Sequence, residues 1–417
     1  MRYSFKYKKV SEIKELRKDF PVLSREDNGK KIIYFDNAAT SLKPKTVIEA
    51  INNYYTNSTA NIHRGVHKLS EEASIEYEKA HDQTAKFFNA KKEEFVLTKN
   101  TTESINSVMY SLFTGDFFEK GNKILLTKME HHANLVPWQL LERKGLIELD
   151  FVELKKDFTL DMQDFENKLD KKTKLVSVAH ASNTIATINP VKEIGKMAKD
   201  NGSLFLIDGA QSAPHIEIDF PKLNADFFAF AGHKMLGPSG TGGLIAKKEL
   251  LEKMEPFQFG GSMIHSVELH KSTWNKLPWK FEAGTPHISG MIGLGKAVEY
   301  LKKVGMDKVR KHEKELTKYA LDKMQEIDSV KLYCPKDKEK QVGTILFEAQ
   351  GIEAHDLAIT LDEMANVAIR SGMHCAEPLV SSLNDKGLDR ASFYLYNTKE
   401  EIDEFLNALS IIVKSFK

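Results

Sequence analysis

Lys234 closes the stretch Ala231-Gly232-His233-Lys234. That stretch follows the apolar run Ala225-Asp226-Phe227-Phe228-Ala229-Phe230 and precedes Gly237-Pro238-Ser239-Gly240-Thr241-Gly242-Gly243. A lysine in a turn at the end of a buried strand is placed to meet a ligand. Burial tunes its amine toward the neutral form, which can form a Schiff base. One strand earlier, Asp208 follows Leu206-Ile207 in Asp208-Gly209-Ala210-Gln211. Alone, such a carboxylate is often a cap or turn former. A carboxylate and an amine at neighbouring strand ends together are what pyridoxal phosphate requires. The carboxylate pairs with the ring nitrogen and the lysine holds the aldehyde.

Other strand ends carry compatible groups. Asn100-Thr101-Thr102 stands before a helix, where hydroxyls and free amides suit a phosphate, although threonine is also an ordinary N-cap. Glu130-His131-His132 offers a flat ring that can stack on a planar cofactor. Two adjacent histidines are poorly spaced for one metal ion. His63 and His67 lie four apart with Gly65 between them, which weakens a helical zinc reading, so no metal is expected. The cluster 237–243 lacks the Gly-Lys-Ser/Thr ending of a P-loop. Its glycines are expected to let the backbone approach a cofactor or a neighbouring subunit.

The C-terminal third adds a thiol and two guanidinium groups. Arg370-Ser371-Gly372-Met373-His374-Cys375-Ala376-Glu377-Pro378 is a turn-rich loop. A free cysteine is most often a small buried hydrophobe. The loop setting of Cys375, beside His374 and near Arg370, favours a reactive thiolate. Cys334, before Pro335, reads as structural. Arg390 precedes the alternating strand Ala391-Ser392-Phe393-Tyr394-Leu395-Tyr396, and a guanidinium there can clamp the carboxylate of an amino acid.

The elements that must position these groups alternate along the chain. Strands are expected at 31–35, 95–98, 123–127, 175–179 and 204–207. Helices are expected from Pro44 to about 55, at 70–88, 103–112, 134–143 and 191–200. Ser11 is expected to cap a short helix ending at Pro21. This alternation implies a largely parallel sheet covered by helices on both faces. Further helices are expected at 296–304 and 307–327, leaving the large domain. A capping box formed by Thr398 and Glu401 should start a last helix with Ile402, Phe405, Leu406 and Leu409 on one face.

Bulk properties set the class. The 417 residues suit one large and one smaller domain. Lys and Arg number 60 against 59 Asp and Glu, so no charge bias points to nucleic acid or a membrane surface. Two cysteines make no disulfide framework and suit a reducing compartment. The N-terminus lacks an apolar signal core and no run is long enough to span a bilayer. The expected location is the cytoplasm.

Taken together, YFDNAAT, NIHRGVH, NTTESIN, EHHANLVPWQ, IDGAQ, GHKMLGPSGTGG, FEAGTPHISG, RSGMHCAEPL and the RAS-YNT segment resemble the class V aminotransferase group of fold type I pyridoxal phosphate enzymes. Within it the chain is similar to SufS-type (group II) cysteine desulfurases. The resemblance implies an α/β large domain, 26–295, with a mainly parallel seven-stranded sheet. A smaller α+β domain, 1–25 and 296–417, would carry the cysteine loop.

It implies that Lys234 bonds the cofactor and moves the Cα proton, and that Asp208 pairs with the pyridine nitrogen. His131 would stack on the ring and Gln211 would touch its phenolic oxygen. Thr101, Thr102 and His233 would hold the phosphate, with Thr285 reaching the phosphate of a neighbouring subunit in a homodimer. Asn183 and Arg390 would bind the carboxylate of L-cysteine, with His63, Arg64 and Arg370 lining the pocket. Cys375 would take the sulfur as a persulfide and pass it to a SufE- or SufU-like acceptor for iron–sulfur assembly, leaving L-alanine. A selenocysteine lyase shares nearly all these motifs, and a non-catalytic scaffold is the remote alternative. Ala231 stands where the group usually has serine, which removes one phosphate hydroxyl, and Met373 where a histidine is common.

Overall fold

The computed structural model describes residues 13–27 and 29–415. The cap expected at Ser11 lies outside them. The segment after it forms a 3₁₀ turn, Ile13–Asp19, and Pro21 begins a second, Pro21–Ser24, because its fixed φ suits a helical first position.

Seven strands build the central sheet: β1 (Phe95–Thr98), β2 (Asn122–Thr127), β3 (Ile147–Val152), β4 (Thr173–Ala179), β5 (Leu204–Asp208), β6 (Phe227–Ala231) and β7 (Gly242–Ala246). Their order is β1-β7-β6-β5-β4-β2-β3, with only β7 running against its neighbours. The seven-stranded, mainly parallel sheet is therefore as the resemblance implies. Strands β4 to β6 are buried on both faces, as near-continuous apolar runs require. Because β7 returns antiparallel between β1 and β6, the carboxyl ends of the six parallel strands open on one edge, where ligands of such sheets bind.

Helices α1 (Lys45–Asn57), α2 (Lys68–Phe87) and α3 (Thr101–Thr114) follow closely on the expected positions. The helix expected at 296–304 begins earlier, as α4 (Ile288–Val304), and packs along α1 and α2 rather than leaving them. Position 295 falls inside it. Gly290, Gly293 and Gly295 lower its helix propensity in the sequence. They also permit close packing: a Cβ on Gly295 would stand 2.5 Å from the Cβ of Ala80.

A second, four-stranded antiparallel sheet has β8 (Val330–Tyr333), β9 (Thr344–Ala349), β10 (Arg370–Gly372) and β11 (Leu388–Ser392) in the order β8-β9-β11-β10. Its core gathers Leu316, Phe347, Phe393 and the final helix α5 (Lys399–Ser415), and also takes Ile33 and Phe35 from the start of the chain. Ile33–Tyr34 pairs in parallel with Val367–Ala368, so the expected strand at 31–35 is shorter and forms a separate two-stranded sheet beside this core.

The capping box of α5 is present. Glu401 N donates to Thr398 Oγ1 at 3.2 Å, and Thr398 N donates to Glu401 Oε2 at 3.0 Å. Thr398→Ala should lower stability by about 1 kcal/mol, read as a lower urea midpoint with an unchanged slope. No shift in the midpoint would show that the box contributes nothing.

Candidate active site

The sheet edge holds a cavity of about 330 Å³ reached by residues from both sheets. Lys234 lies in a single 3₁₀ turn directly after β6. Asp208 is the last residue of β5, and its Oδ1 accepts the N–H of Ala210 at 2.9 Å. Burial raises the Asp208 carboxyl pKa, opposed by the nearby Lys234. Burial likewise pushes the Lys234 amine down to about 8, against the pull of Asp208 and with help from Arg390.

The carbonyl of His233 is held by four donors from one short segment: Lys43 Nζ at 2.9 Å, Ser41 N at 3.0 Å, and the hydroxyls of Thr40 and Ser41 at 3.1 Å each. This fixes the backbone one residue before Lys234. Burial lowers the Lys43 amine to about 8. The sequence reading assigned this segment no role. The glycine loop also serves a close approach, but to protein. A Cβ on Gly242 would stand 2.6 Å from the Phe230 carbonyl oxygen and 2.8 Å from Asn100 Cα.

His131 and His132 divide their work. His131 lines the cavity, its Nδ1 accepting Ala133 N–H at 3.0 Å. Burial and the charges of Lys234, His132 and Arg390 push its pKa to about 3, so the ring is neutral. His132 instead pins the cysteine loop. Its N–H donates to the Cys375 carbonyl at 2.7 Å and its Nε2 accepts Glu377 N–H at 3.0 Å. Beneath them Glu130 ties β2 to β4, taking Thr127, Asn134 and the Ala179 N–H, and burial raises it to about 8.

Cys375 is exposed at the cavity wall. His374 and Cys375 both have left-handed backbone, φ 53° and 55°. Such conformations persist in non-glycine residues only where the surroundings enforce them. Asn183 Nδ2 donates to the His374 carbonyl at 2.7 Å, and His374 Nε2 lies 2.8 Å from the Leu388 carbonyl oxygen. Cys334 differs in every respect: it packs against the second core, and burial pushes its thiol to about 11.

Arg390, in β11, is 2% exposed. Its Nη1 donates to the Asn183 carbonyl at 2.9 Å and its Nη2 to Asp36 at 3.2 Å. Its Nε is buried and has no partner among the described residues, as are Thr101 Oγ1 and Gln211 Oε1. All three residues line the cavity. Gln211 is held by its Nε2, which donates to the Ala38 carbonyl at 2.7 Å.

Eleven of the residues singled out in the sequence meet here: Thr101, Thr102, His131, Asn183, Asp208, Gln211, His233, Lys234, Arg370, Cys375 and Arg390. His63, Arg64 and Thr285 do not. His63 stands beside Trp279 at 4.8 Å between ring centroids, and Arg64 and Thr285 are exposed outside the cavity. Asp36, which joins Arg370 to Arg390, had no signal in its own neighbourhood.

The class-V aminotransferase family pattern matches residues 33–405. The chain belongs to the class-V aminotransferase family. Relatives within this family include a probable cysteine desulfurase of Halalkalibacterium halodurans, 47% identical over 396 residues, covering 95% of this chain and 96% of the relative. The cysteine desulfurase of Haloferax volcanii is 44% identical over 412 residues, covering 95% and 96%. The structure of apo cysteine desulfurase from Thermococcus onnurineus NA1 superposes with a TM-score of 0.92 at 42% identity, over 96% of this chain and 98% of that one. The Escherichia coli cysteine desulfurase CsdA gives 0.89 at 32%, over 97% and 99%.

Class-V aminotransferase family members of this kind use pyridoxal phosphate. The cavity fits it: an amine and a carboxylate at neighbouring strand ends, a neutral ring, an unpartnered Thr101 hydroxyl free to donate to a phosphate, and an unpartnered Gln211 oxygen free to accept. The lowered Lys234 amine gives a pH signature. Its neutral fraction climbs from about one in a hundred at pH 6 to about half at pH 8. Covalent capture of pyridoxal phosphate by cofactor-free protein, trapped with borohydride and weighed, should accelerate by about fiftyfold over that interval. A midpoint near 10 would show that burial does not tune this lysine.

Proposed function

We propose that this chain is a SufS-like cysteine desulfurase. It converts L-cysteine to L-alanine and captures the sulfur on Cys375. The observation that carries this reading is the shared cavity of Lys234, Arg390 and Cys375. Bound there, pyridoxal phosphate supplies the electron sink that makes the substrate's Cβ–S bond labile.

The residues divide the remaining work. Thr101, Thr102 and His233 hold the phosphate, Asp208 the pyridine nitrogen, Gln211 the phenolic oxygen, and His131 covers the ring. The unpartnered Nε of Arg390, beside Asn183, receives the substrate carboxylate in a buried site, where a charge-assisted hydrogen bond is strongest. Lys234, about half neutral at pH 8, moves the proton at Cα. The Cys375 sulfur bonds the substrate sulfur as the C–S bond breaks. The carbon gains the proton, so a thiol plus L-cysteine becomes a persulfide plus L-alanine. The persulfide passes to a small SufE- or SufU-like acceptor for iron–sulfur assembly.

The exposed Val66, Leu69, Ile75 and Tyr55, close in sequence to His63 and Arg64, support a homodimer in which those residues and Thr285 reach a second copy's site. Two unpaired cysteines support a reducing compartment such as the cytoplasm. Among the described residues no helix is long and apolar enough to cross a membrane. The test is alanine release from L-cysteine by protein loaded with pyridoxal phosphate, with a thiol reductant present. Stoichiometric alanine and sulfide support the reading; bound cofactor with no alanine defeats it.

A further inference from the structure

The Asp36 carboxylate is shared by two arginines brought together from 334 and 354 residues along the chain. Arg370 Nε lies 3.1 Å from both Asp36 oxygens, and Arg370 Nη2 donates to Oδ2 at 2.9 Å. Arg390 Nη2 donates to Oδ1 at 3.2 Å. The side-on Nε–Nη2 edge of Arg370 is thus already occupied, which leaves an incoming carboxylate only the Nη1 side. Arg390 has a buried Nε with no partner among the described residues. The side chain of Arg370 is 48% exposed, and it lines the cavity together with Cys375.

The charges at this end can be counted. Arg370 and Arg390 are positive and Asp36 is negative. His131 and His374 are both driven to about 3 by burial and are neutral. Asp208 is reserved for the far end of the cofactor. The Asp36–Arg370–Arg390 cluster thus keeps one positive charge unbalanced, beside the unpartnered Nε of Arg390. That complements a single carboxylate. A second carboxylate on the ligand's side chain would approach Cys375 and meet an Arg370 whose Nε–Nη2 edge and charge Asp36 already engages.

We infer that Asp36 is a specificity-determining positioning residue: by engaging Arg370 and balancing its charge, it fits the site to amino acids with one carboxylate and against those with two. It acts through Arg370 and touches no reacting atom. The inference rests on the proposed amino-acid substrate.

The experiment compares L-alanine with L-aspartate as ligands of the cofactor-loaded protein. Binding is followed by the visible absorption of the bound cofactor and, separately, by inhibition of L-cysteine turnover. The readout is the ratio of the aspartate to the alanine dissociation constant. Asp36→Asn frees Arg370 and should lower this ratio at least tenfold. Arg370→Gln leaves Asp36 facing Arg390 alone and should raise it. The double variant should lose the gain seen with Asp36→Asn. A merely structural role would weaken both ligands alike and leave the ratio fixed. An unchanged ratio in either folded variant overturns the inference, and Arg370→Gln keeps it exposed to refutation should Asp36→Asn fail to fold. The absorption titration does not need turnover, so absence of alanine release from wild-type protein refutes the desulfurase reading without deciding this one.

Discussion

Replacing Cys375 with alanine should reduce sulfur release from L-cysteine by on the order of 10³-fold or more, as expected for loss of a nucleophile. The protein should otherwise stay intact. Cys375 is exposed, and alanine keeps its Cβ, so the cost of its left-handed backbone is unchanged. An exposed substitution of this kind shifts stability by within about 0.5 kcal/mol. The carbonyl of residue 375 still accepts the His132 N–H, so the loop keeps its place. Covalent cofactor capture by Lys234 should be unaltered. Mass spectrometry after a single addition of L-cysteine should find an added sulfur on the wild-type chain and none on the variant. A persulfide that survives the substitution would assign the sulfur to another group.

Lys234→Ala should be more severe still. On the proposed roles it removes both the covalent hold on the cofactor and the base at Cα. Loss of about 10⁴-fold or more in alanine release is expected. A second consequence concerns the fold itself. The folded-state pKa of Lys234 is depressed from 10.5 to about 8, so its protonated form is penalised by folding. In cofactor-free protein that penalty is full below about pH 8 and fades as pH rises toward 10.5. The alanine variant should therefore be more stable than cofactor-free wild type at pH 7, by a margin that closes between these values. Denaturant titrations at pH 7 and pH 10 measure it. A constant margin would mean that the lost side-chain contacts, and not the charge, set the difference.

Much of the cofactor end was legible in the sequence because each group is local to a strand end. Lys234 after β6, Asp208 ending β5 and Thr101 opening α3 follow from apolar runs that stop at polar residues. Strand β3 went unassigned. Its Ile147-Glu148-Leu149-Asp150 alternation suits an edge strand, but its acidic residues weaken the signal of a buried parallel one. The start of α4 was hidden by its glycines, whose cost in propensity is local while their packing against Ala80 is not. Asp36 and Glu130 were hidden for a similar reason. Their partners, Arg370 and Arg390 in one case and Ala179 in the other, are set by tertiary contacts that no short-range pattern encodes. His63, Arg64 and Thr285 could be named from motifs, but one chain alone does not bring them to the cavity.

The two ends of the cavity also differ in when they are made. The groups of this cavity that could hold pyridoxal phosphate come from residues 101–234, whereas Arg370, Cys375 and Arg390 follow more than a hundred residues later. Asp36 is translated well before its guanidinium partners, which follow 334 and 354 residues later. At about 5–20 residues per second, the roughly 150 residues between Lys234 and Arg390 take on the order of 7–30 s to synthesise. A growing chain thus carries its electron-sink machinery well before it can seat a substrate or accept sulfur. The order of the codons thus withholds chemistry on free cysteine until Arg390 has been made.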